Sequence, residues 1–127
     1  MKFLLDTHIL LWWLEDNQQK LSSQNRDLIS DPLNQILVSV ATIWEISIKT
    51  SLGRLDLEEN LLEAMQKESL EILSITPEQA WNAGIRIVHH EDPFDRILIT
   101  QAIDQNCTLV TVDKTLKKYE AEGLKIK

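Results

Sequence analysis

The sequence predicts an α/β protein: a three-layer α/β/α sandwich around a central, mainly parallel sheet of four or five strands. The first observation is that short apolar runs alternate with longer segments of helical period along the chain, a pattern typical of strands joined by helical crossovers. The second is the length of 127 residues, which is close to that of a usual domain. We therefore expect a single domain over residues 1–127.

Five apolar runs are candidate strands, and the one at the C-terminus is the least regular. They are residues 2–5 (KFLL), 36–40 (ILVSV), 71–75 (EILSI), 108–112 (TLVTV) and 124–127 (LKIK). Segments with helical period lie between and around them, and each is long enough to cross over the sheet. These segments are residues 7–15, 21–31, 41–52, 57–69, 77–88, 93–105 and 114–121. Parallel strands with right-handed crossovers place helices on both faces of the sheet.

The net charge of -7 and the pI near 4.9 argue against a general nucleic-acid binder, which usually carries a basic surface. That objection weakens if several carboxylates hold one divalent cation, because the ion reverses the charge that a phosphate meets.

The single Cys107 cannot form an internal disulfide, which favours a reducing compartment and a buried, hydrophobic role. The N-terminal stretch MKFLLDTHILLWWL is interrupted by Asp6 and His8 and is too short for a membrane span. We expect a cytoplasmic protein without a membrane anchor.

Four acids are placed to meet at one edge of the predicted sheet. Asp6 and Asp113 directly follow strands, Asp95 lies in the first turn of a helix, and Glu45 lies just over one turn into the helix after ILVSV. In a parallel α/β sheet, ligands bind outside the carboxyl ends of the strands. These positions therefore predict one shared site.

The stretch HEDPFDRILITQA separates two roles for neighbouring acids. Asp92 precedes Pro93 and suits the N-cap, with Asp95 placed as the reciprocal partner of a capping box. Asp95 also lies in line with Leu98, Ile99 and Ala102, on the apolar stripe of the helix. The other side of that helix carries Arg96, Thr100 and Asp104. A carboxylate facing the core must be paired, protonated or bound to a metal, so we favour a site role for Asp95 and a cap for Asp92.

Glu45 has two readings. It stands at the edge of a predicted apolar stripe of Ala41, Trp44, Ile48 and Leu52, or it pairs with Lys49 one turn later. Asp6 and Asp113 likewise have an alternative role as helix N-caps. Taken together, four converging carboxylates suit Mg2+ or Mn2+, which prefer oxygen ligands.

Several other chemistries lack their usual parts. The three histidines, His8, His89 and His90, show no metal-binding spacing on a helix, and we expect His8 to pack near the site. A nucleophile elbow, a CxxC pair and a phosphate-binding glycine loop are absent from the sequence, which argues against acyl transfer and nucleotide triphosphate hydrolysis.

Four motifs, LLDTH, SVATIWEISIK, HEDPFDRILITQA and LVTVD, resemble in this order those of the PIN domain. The resemblance is to the VapC-like toxin nucleases of bacterial type II toxin–antitoxin pairs, and it spans nearly the whole chain. The four acids of that family correspond here to Asp6, Glu45, Asp95 and Asp113. The hydroxyls of Thr7, Ser39 and Thr111 resemble the small polar residues found beside them.

The resemblance implies a metal-dependent endoribonuclease that leaves 5'-phosphate and 3'-hydroxyl ends, is usually dimeric, and is neutralised by a small antitoxin. It implies that Asp6 and Asp95 bind the ion directly, that Glu45 and Asp113 act through water, and that Asp92 is secondary. Candidate RNA contacts are Thr7, Lys49, Arg54, Arg96, Thr111, Lys114, Lys117 and Lys118, although such cations are commonly ordinary surface charges.

Two other functions stay open from the sequence. A receiver-like aspartate phosphoacceptor has similar length and acidity, but paired acids do not follow the first strand, which ends in DTH. A catalytically weak binding module would act through a protein partner, and Trp12, Trp13 and Trp44 offer apolar helix faces for it. The same faces are our hypothesis for a homodimer interface.

Overall fold

The computed structural model describes residues 1–87 and 90–127, and within them it contains a five-stranded parallel sheet. The strand order is β3-β2-β1-β4-β5, so the first strand of the chain lies at the centre. The strands are β1 (Lys2–Leu5), β2 (Gln35–Ser39), β3 (Glu71–Leu73), β4 (Thr108–Val110) and β5 (Lys125–Ile126). The predicted strands are confirmed, although the second begins one residue earlier and those at 71 and 108 are two residues shorter.

In the described part of the chain, six α-helices and one 3-10 helix surround this sheet. They are α1 (Thr7–Leu14), α2 (Ser23–Ser30), α3 (Val40–Ser51), α4 (Leu61–Lys67), α5 (Pro77–Ile85), α6 (Pro93–Asp104) and the 3-10 helix (Lys114–Glu122). The helix predicted from residue 57 begins later, because Asn60 accepts hydrogen bonds from the backbone N–H groups of Leu62 and Glu63. The helix predicted over 77–88 ends at Ile85, and position 88 lies outside the described residues.

The alternation of side chains along β1 builds two cores. Phe3 and Leu5 point to one face of the sheet, and Leu4 points to the other. The first core is completed by α1, α2, α3 and α4, and the second by α6 and the 3-10 helix. Leu4 pairs in register with Leu37 of β2 and Leu109 of β4, and all three are buried. The predicted sandwich with helices on both faces is therefore confirmed.

Polar N-caps follow three of the strands at the same edge of the sheet. Asp6 caps α1 after β1, Ser39 is both the last residue of β2 and the cap of α3, and Asp113 caps the 3-10 helix after β4. A side chain that accepts N–H groups at a helix start also stays at the carboxyl end of the strand before it. The fold thus collects polar side chains at one edge.

Helix α3 differs from the prediction. Its buried residues are Ala41, Thr42, Glu45 and Ile46, whereas Trp44 and Leu52 are exposed. The predicted apolar stripe was wrong because this helix is apolar around most of its circumference, so periodicity cannot select the inward face. Packing of Ile46 into the first core makes that choice, and it places Glu45 in the middle of the buried face.

Helix α6 buries two sides. Leu98, Ile99 and Ala102 join the second core as predicted. The side predicted to be polar packs against α5: the Arg96 guanidinium donates to the Ala83 and Gly84 carbonyls, and Thr100 is buried. On the same side, Asp104 accepts a hydrogen bond of 2.7 Å from the Gln79 amide.

Cys107 is fully buried within the second core, as predicted. Among the described residues, no helix has both the length and the apolar character needed to span a membrane.

Replacing Leu4 by alanine tests the role of the central strand. Leu4 is fully buried, so we expect Leu4→Ala to lower the free energy of unfolding by about 2–5 kcal/mol. Leu33→Ala is the matched control, because Leu33 is 86% exposed and its loss should change stability by less than about 0.5 kcal/mol. Urea unfolding measures both; equal midpoints would contradict the assignment of β1 to the core.

Candidate metal centre

Asp6 is the acid at the end of the central strand, and it is buried. One carboxylate oxygen, Oδ1, accepts a hydrogen bond of 2.9 Å from the Ile9 backbone N–H, which is its capping bond. The other, Oδ2, accepts from the Thr111 hydroxyl. The Asp6 backbone N–H donates to the Val110 carbonyl at 3.1 Å, so the acid is held where β1 and β4 end side by side.

Glu45 projects from α3 toward the start of α1. Its Oε1 atom accepts a hydrogen bond of 2.5 Å from the Thr7 hydroxyl. Its Oε2 atom lies 2.8 Å from the Lys49 ammonium group, which is the salt bridge that the sequence offered as an alternative. Because the Glu45 side chain is only 12% exposed, the pair is not an ordinary surface salt bridge: it holds a mostly buried carboxylate beside Asp6.

Asp92 takes the cap role that the sequence predicted, whereas the predicted capping-box role of Asp95 is absent. Asp92 is exposed and caps α6, accepting from the backbone N–H groups of Phe94 at 2.8 Å and Asp95 at 3.4 Å. The Asp95 carboxylate does not complete a capping box. Instead its Oδ2 atom lies 2.7 Å from Nε2 of His90. The Asp95 carboxylate therefore contacts the side chain of a residue before α6 and not the backbone at the start of that helix.

Asp113 is tied to Asp6 through a single threonine. The Thr111 hydroxyl donates to Asp6 and accepts a hydrogen bond of 3.1 Å from the Asp113 backbone N–H. Asp113 itself accepts from the backbone N–H and the hydroxyl of Thr115, at 3.0 and 2.6 Å, through Oδ1. Both bonds use one oxygen of Asp113.

His90 completes the arrangement, and the sequence interpretation missed it. One ligand atom from each of His90, Asp95 and Asp113 lies within 4.8 Å of the others. His90 precedes α6 and contacts Asp95 in the first turn of that helix. A search for metal ligands at helical spacing along one helix therefore cannot find it. The signal in the sequence is a histidine just before a capped helix start, in HEDPFD. His89 lies outside the described residues.

Burial and mutual repulsion raise the pKa values of two of these acids. The pKa of Asp6 is raised mainly by burial, against the hydrogen bonds from Thr111 and Ile9, and the charge of Glu45 adds to the rise. Burial also raises the pKa of Asp95, with contributions from the charges of Asp92 and Asp6, against its bond to His90. The site therefore gathers negative charge at an energetic cost.

Asp113 behaves in the opposite way. Its side-chain hydrogen bond from Thr115 lowers its pKa, and the residue is only partly buried. A carboxylate that stays ionised at the open side of the cluster is available to a cation that enters from solvent.

The basic residues predicted to contact RNA differ in their surroundings. Lys49 is paired with Glu45. Arg54 is exposed and lies just after the end of α3, where its backbone N–H donates to the Lys49 carbonyl at 2.9 Å. Arg96 binds the Ala83 carbonyl at 2.9 Å and the Gly84 carbonyl at 2.6 Å, which gives it a structural role. Lys114, Lys117 and Lys118 are exposed on the 3-10 helix.

Comparison with known proteins gives a family and a set of similar folds. The model of the PIN domain family matches residues 3–122. The chain is also 28% identical, over 119 residues, to ribonuclease VapC22 of Mycobacterium tuberculosis (strain ATCC 25618 / H37Rv). That alignment covers 91% of this chain and 90% of the relative.

Two solved structures share the fold. One is VapBC2 from Rickettsia felis bound to a DNA fragment from its promoter, with a TM-score of 0.68, 19% identity, and coverage of 100% of this chain and 98% of that one. The other is DNA-bound VapBC from Salmonella typhimurium, with a TM-score of 0.65, 22% identity, and coverage of 100% and 97%. At these identities the likeness concerns the fold alone.

The region matched by the family model includes Asp6, Glu45, Asp95 and Asp113 and the strands β1 to β4, except for Lys2. This chain belongs to the PIN domain family.

Proposed function

We propose that this protein is a metal-dependent endoribonuclease that hydrolyses RNA phosphodiester bonds, and that it is the toxin of a toxin–antitoxin pair. The observation that carries the proposal is that four acids from separate parts of the chain, Asp6, Glu45, Asp95 and Asp113, lie near one another. The charge of Glu45 acts on Asp6, that of Asp6 acts on Asp95, and ligand atoms of Asp95 and Asp113 lie within 4.8 Å of each other. Membership of the PIN domain family and the ribonuclease relative support the same activity.

The donor set fits a hard divalent cation. Asp6 and Asp95 carry raised pKa values because Asp6 is buried, Asp95 is partly buried, and both lie near other acids, and a cation would relieve that repulsion. The hydroxyls of Thr7 and Thr111 donate to Glu45 and Asp6, which orients the carboxylates without neutralising them. Each carboxylate oxygen has a second lone pair for another partner. Oxygen ligands of this kind suit Mg2+ or Mn2+.

The four acids divide the work in this proposal. Asp6 and Asp95 hold the ion directly, while Glu45 and Asp113 hold it through water or orient the attacking water. When bound, the ion supplies Lewis acidity at the phosphate and lowers the pKa of a coordinated water. Glu45 is suited to positioning because Thr7 and Lys49 fix both of its oxygens. Asp92 is secondary, since its carboxylate caps α6.

In this proposal, Lys49 and Arg54 contact the RNA near the acids. Lys49 touches Glu45 with a side chain that is 36% exposed, and Arg54 is linked to it through the end of α3. Thr7 and Thr111 are buried and bonded to the acids, so they act through those carboxylates. With a net charge of -7, general attraction for RNA is weak, which fits a narrow choice of target and strong dependence on the bound ion and on local basic residues.

A cleft beside α1 and α4 offers a place for the proposed antitoxin. Its volume is about 280 Å³. Leucines form much of its lining, and four acids surround them: the residues are Leu11, Leu14, Leu57, Leu61, Ala64, Glu15, Asp56, Glu58 and Glu59. A partner segment with apolar and basic side chains complements such a surface. A short reading frame directly upstream of the gene would support the pairing; a gene that stands alone would count against it.

RNA cleavage by the purified chain is the main test. With a mixed RNA pool, we expect cleavage with Mg2+ or Mn2+ and none with chelator. Asp6→Asn and Asp95→Asn should each lower the rate by at least about a hundredfold, because even outer residues of metal sites cost 10–100-fold when changed. Product ends are read by labelling, with 5'-phosphate and 3'-hydroxyl expected.

Asp31→Asn is the control for this assay, because Asp31 is an exposed acid at the C-terminal end of α2, with its carboxylate bonded to the Leu33 backbone N–H. It should cleave RNA at the rate of the unchanged protein. Cleavage that survives chelator or both site substitutions would overturn the proposal, and RNA binding without cleavage would favour the binding module.

The stability of the metal-free protein should depend on Asp6 in an unusual direction. The pKa of Asp6 in the folded protein is raised above its ordinary value by burial, so the folded state binds a proton more readily than the unfolded state. Stability from this group is present at low pH and is lost as pH rises through the folded pKa. Asp113, whose pKa is lowered, contributes stability that is lost as pH falls instead.

Asp6→Asn tests that sign, because asparagine resembles the protonated acid. In chelator at pH 7, we expect the variant to unfold at a higher temperature than the unchanged protein, and the difference to shrink as pH falls toward 4. Added Mg2+ should raise the unfolding temperature of the unchanged protein only. A variant that is less stable at pH 7 in chelator would contradict the cost assigned to Asp6.

The proposed homodimer is tested through an exposed tryptophan. Trp44 is 64% exposed, and its ring packs edge-on against Phe94 at 5.5 Å between centroids, whereas Trp12 and Trp13 are partly buried against the first core. We therefore expect the interface at Trp44. Light scattering at micromolar concentration should give about twice 14.7 kDa, and Trp44→Asp should halve it. The control is Trp81→Asp, at a site on α5 that is 69% exposed. A monomeric mass for the unchanged protein would contradict the proposed interface.

A further inference from the structure

We infer that His90 is a nitrogen ligand of the bound ion and that it makes this site prefer Mn2+ to Mg2+. The inference rests on the proposed metal site. It goes beyond that proposal because the four acids supply only oxygen, and oxygen ligands alone do not distinguish the two ions by donor type.

The distances are those of ligands around one ion. Nε2 of His90 lies 2.7 Å from Oδ2 of Asp95, and adjacent ligands at about 2.1 Å from an octahedral ion stand about 3 Å apart. The ligand atoms of His90, Asp95 and Asp113 all lie within 4.8 Å of one another, and opposite ligands of the same ion would be about 4.2 Å apart. The His90 and Asp95 atoms therefore have nearly the spacing of two adjacent ligands, and Asp113 is near enough to reach the same ion through water.

The histidine ring is already positioned by its surroundings. The His90 side chain is only 14% exposed, and its ring meets the Tyr119 ring edge-on, with 6.3 Å between centroids. Nε2 points at Asp95, on the side of the ring that faces the acids. A ring held in this way loses little conformational freedom when it binds an ion, which favours ligation.

The type of donor atom determines which metal ion the site prefers. A neutral imidazole nitrogen is a common ligand of first-row transition ions, whereas Mg2+ is usually bound through carboxylates, phosphates and water. Adding one nitrogen to an all-carboxylate site therefore strengthens Mn2+ binding more than Mg2+ binding. Among the described histidines, His90 has a ring nitrogen in contact with an acid of the site, whereas the exposed ring of His8 lies against Trp12.

Mn2+ binding to the full chain provides a readout independent of RNA cleavage. Electron paramagnetic resonance would measure bound Mn2+ in chelator-treated protein, with Mg2+ as competitor, and pulsed spectra would detect an imidazole nitrogen bound to Mn2+. We expect that nitrogen signal in the unchanged protein. His90→Ala should remove it and weaken Mn2+ binding by about 10–100-fold, while Mg2+ binding changes by less than about threefold.

Two further variants separate a ligand from a residue that only orients Asp95. His90→Gln retains a side chain able to hydrogen bond with Asp95 but lacks the imidazole, so it should lose the nitrogen signal and the preference for Mn2+. His8→Ala should keep both. Thermal unfolding in chelator establishes that each variant is folded.

Three results would overturn the inference. They are an absent nitrogen signal in the unchanged protein, a signal lost in His8→Ala, and Mn2+ and Mg2+ affinities that fall together in His90→Ala. A metal-bound nitrogen signal in a protein that cleaves no RNA would instead reject the proposed ribonuclease and leave the role of His90 standing.

Discussion

Thr111 donates a hydrogen bond to Asp6 where β4 and β1 end side by side, and the same hydroxyl accepts from the Asp113 backbone N–H. This small network sets the positions of two acids at once. Because Asp6 also caps α1, the direction of that helix and the position of Thr7 follow from it, and Thr7 in turn binds Glu45. Asp6, Glu45 and Asp113 therefore belong to one connected network, whereas the Asp95 carboxylate is held separately, by its contact with His90.

The arrangement opposes the stability of the metal-free chain. Burial of Asp6 and partial burial of Asp95 near other acids raise the pKa values of both, which means that the folded state disfavours their ionised forms. The two cores supply the compensating stability, with Leu4, Leu37 and Leu109 buried directly behind the site. A cation would remove the conflict, and this is why the electrostatics support a metal-dependent function more strongly than any single carboxylate does.

The buried face of helix α3 could not be predicted from the sequence pattern. Its residues are apolar on most sides, so the sequence favoured a stripe that included Trp44 and left Glu45 at the edge. In the fold, Glu45 lies at the centre of the buried face and Trp44 is exposed. A periodic pattern chooses a face only when one side is polar, and here contact with the first core made the choice. Helix α6 had a clear stripe at Leu98, Ile99 and Ala102, and that prediction was confirmed.

The amino-acid order was sufficient for the strands, the parallel sandwich, the caps at Asp6, Asp92 and Asp113, and the edge where the acids meet. These features depend on neighbours within a few residues and on the rule that parallel strands end together. The partners of each carboxylate required the folded chain. Thr111 lies 105 positions from Asp6, and Thr7 lies 38 from Glu45. His90 joins Asp95 at a spacing that matches no helical period, because the bond spans the turn before α6, and its geometry is set by the packing around it.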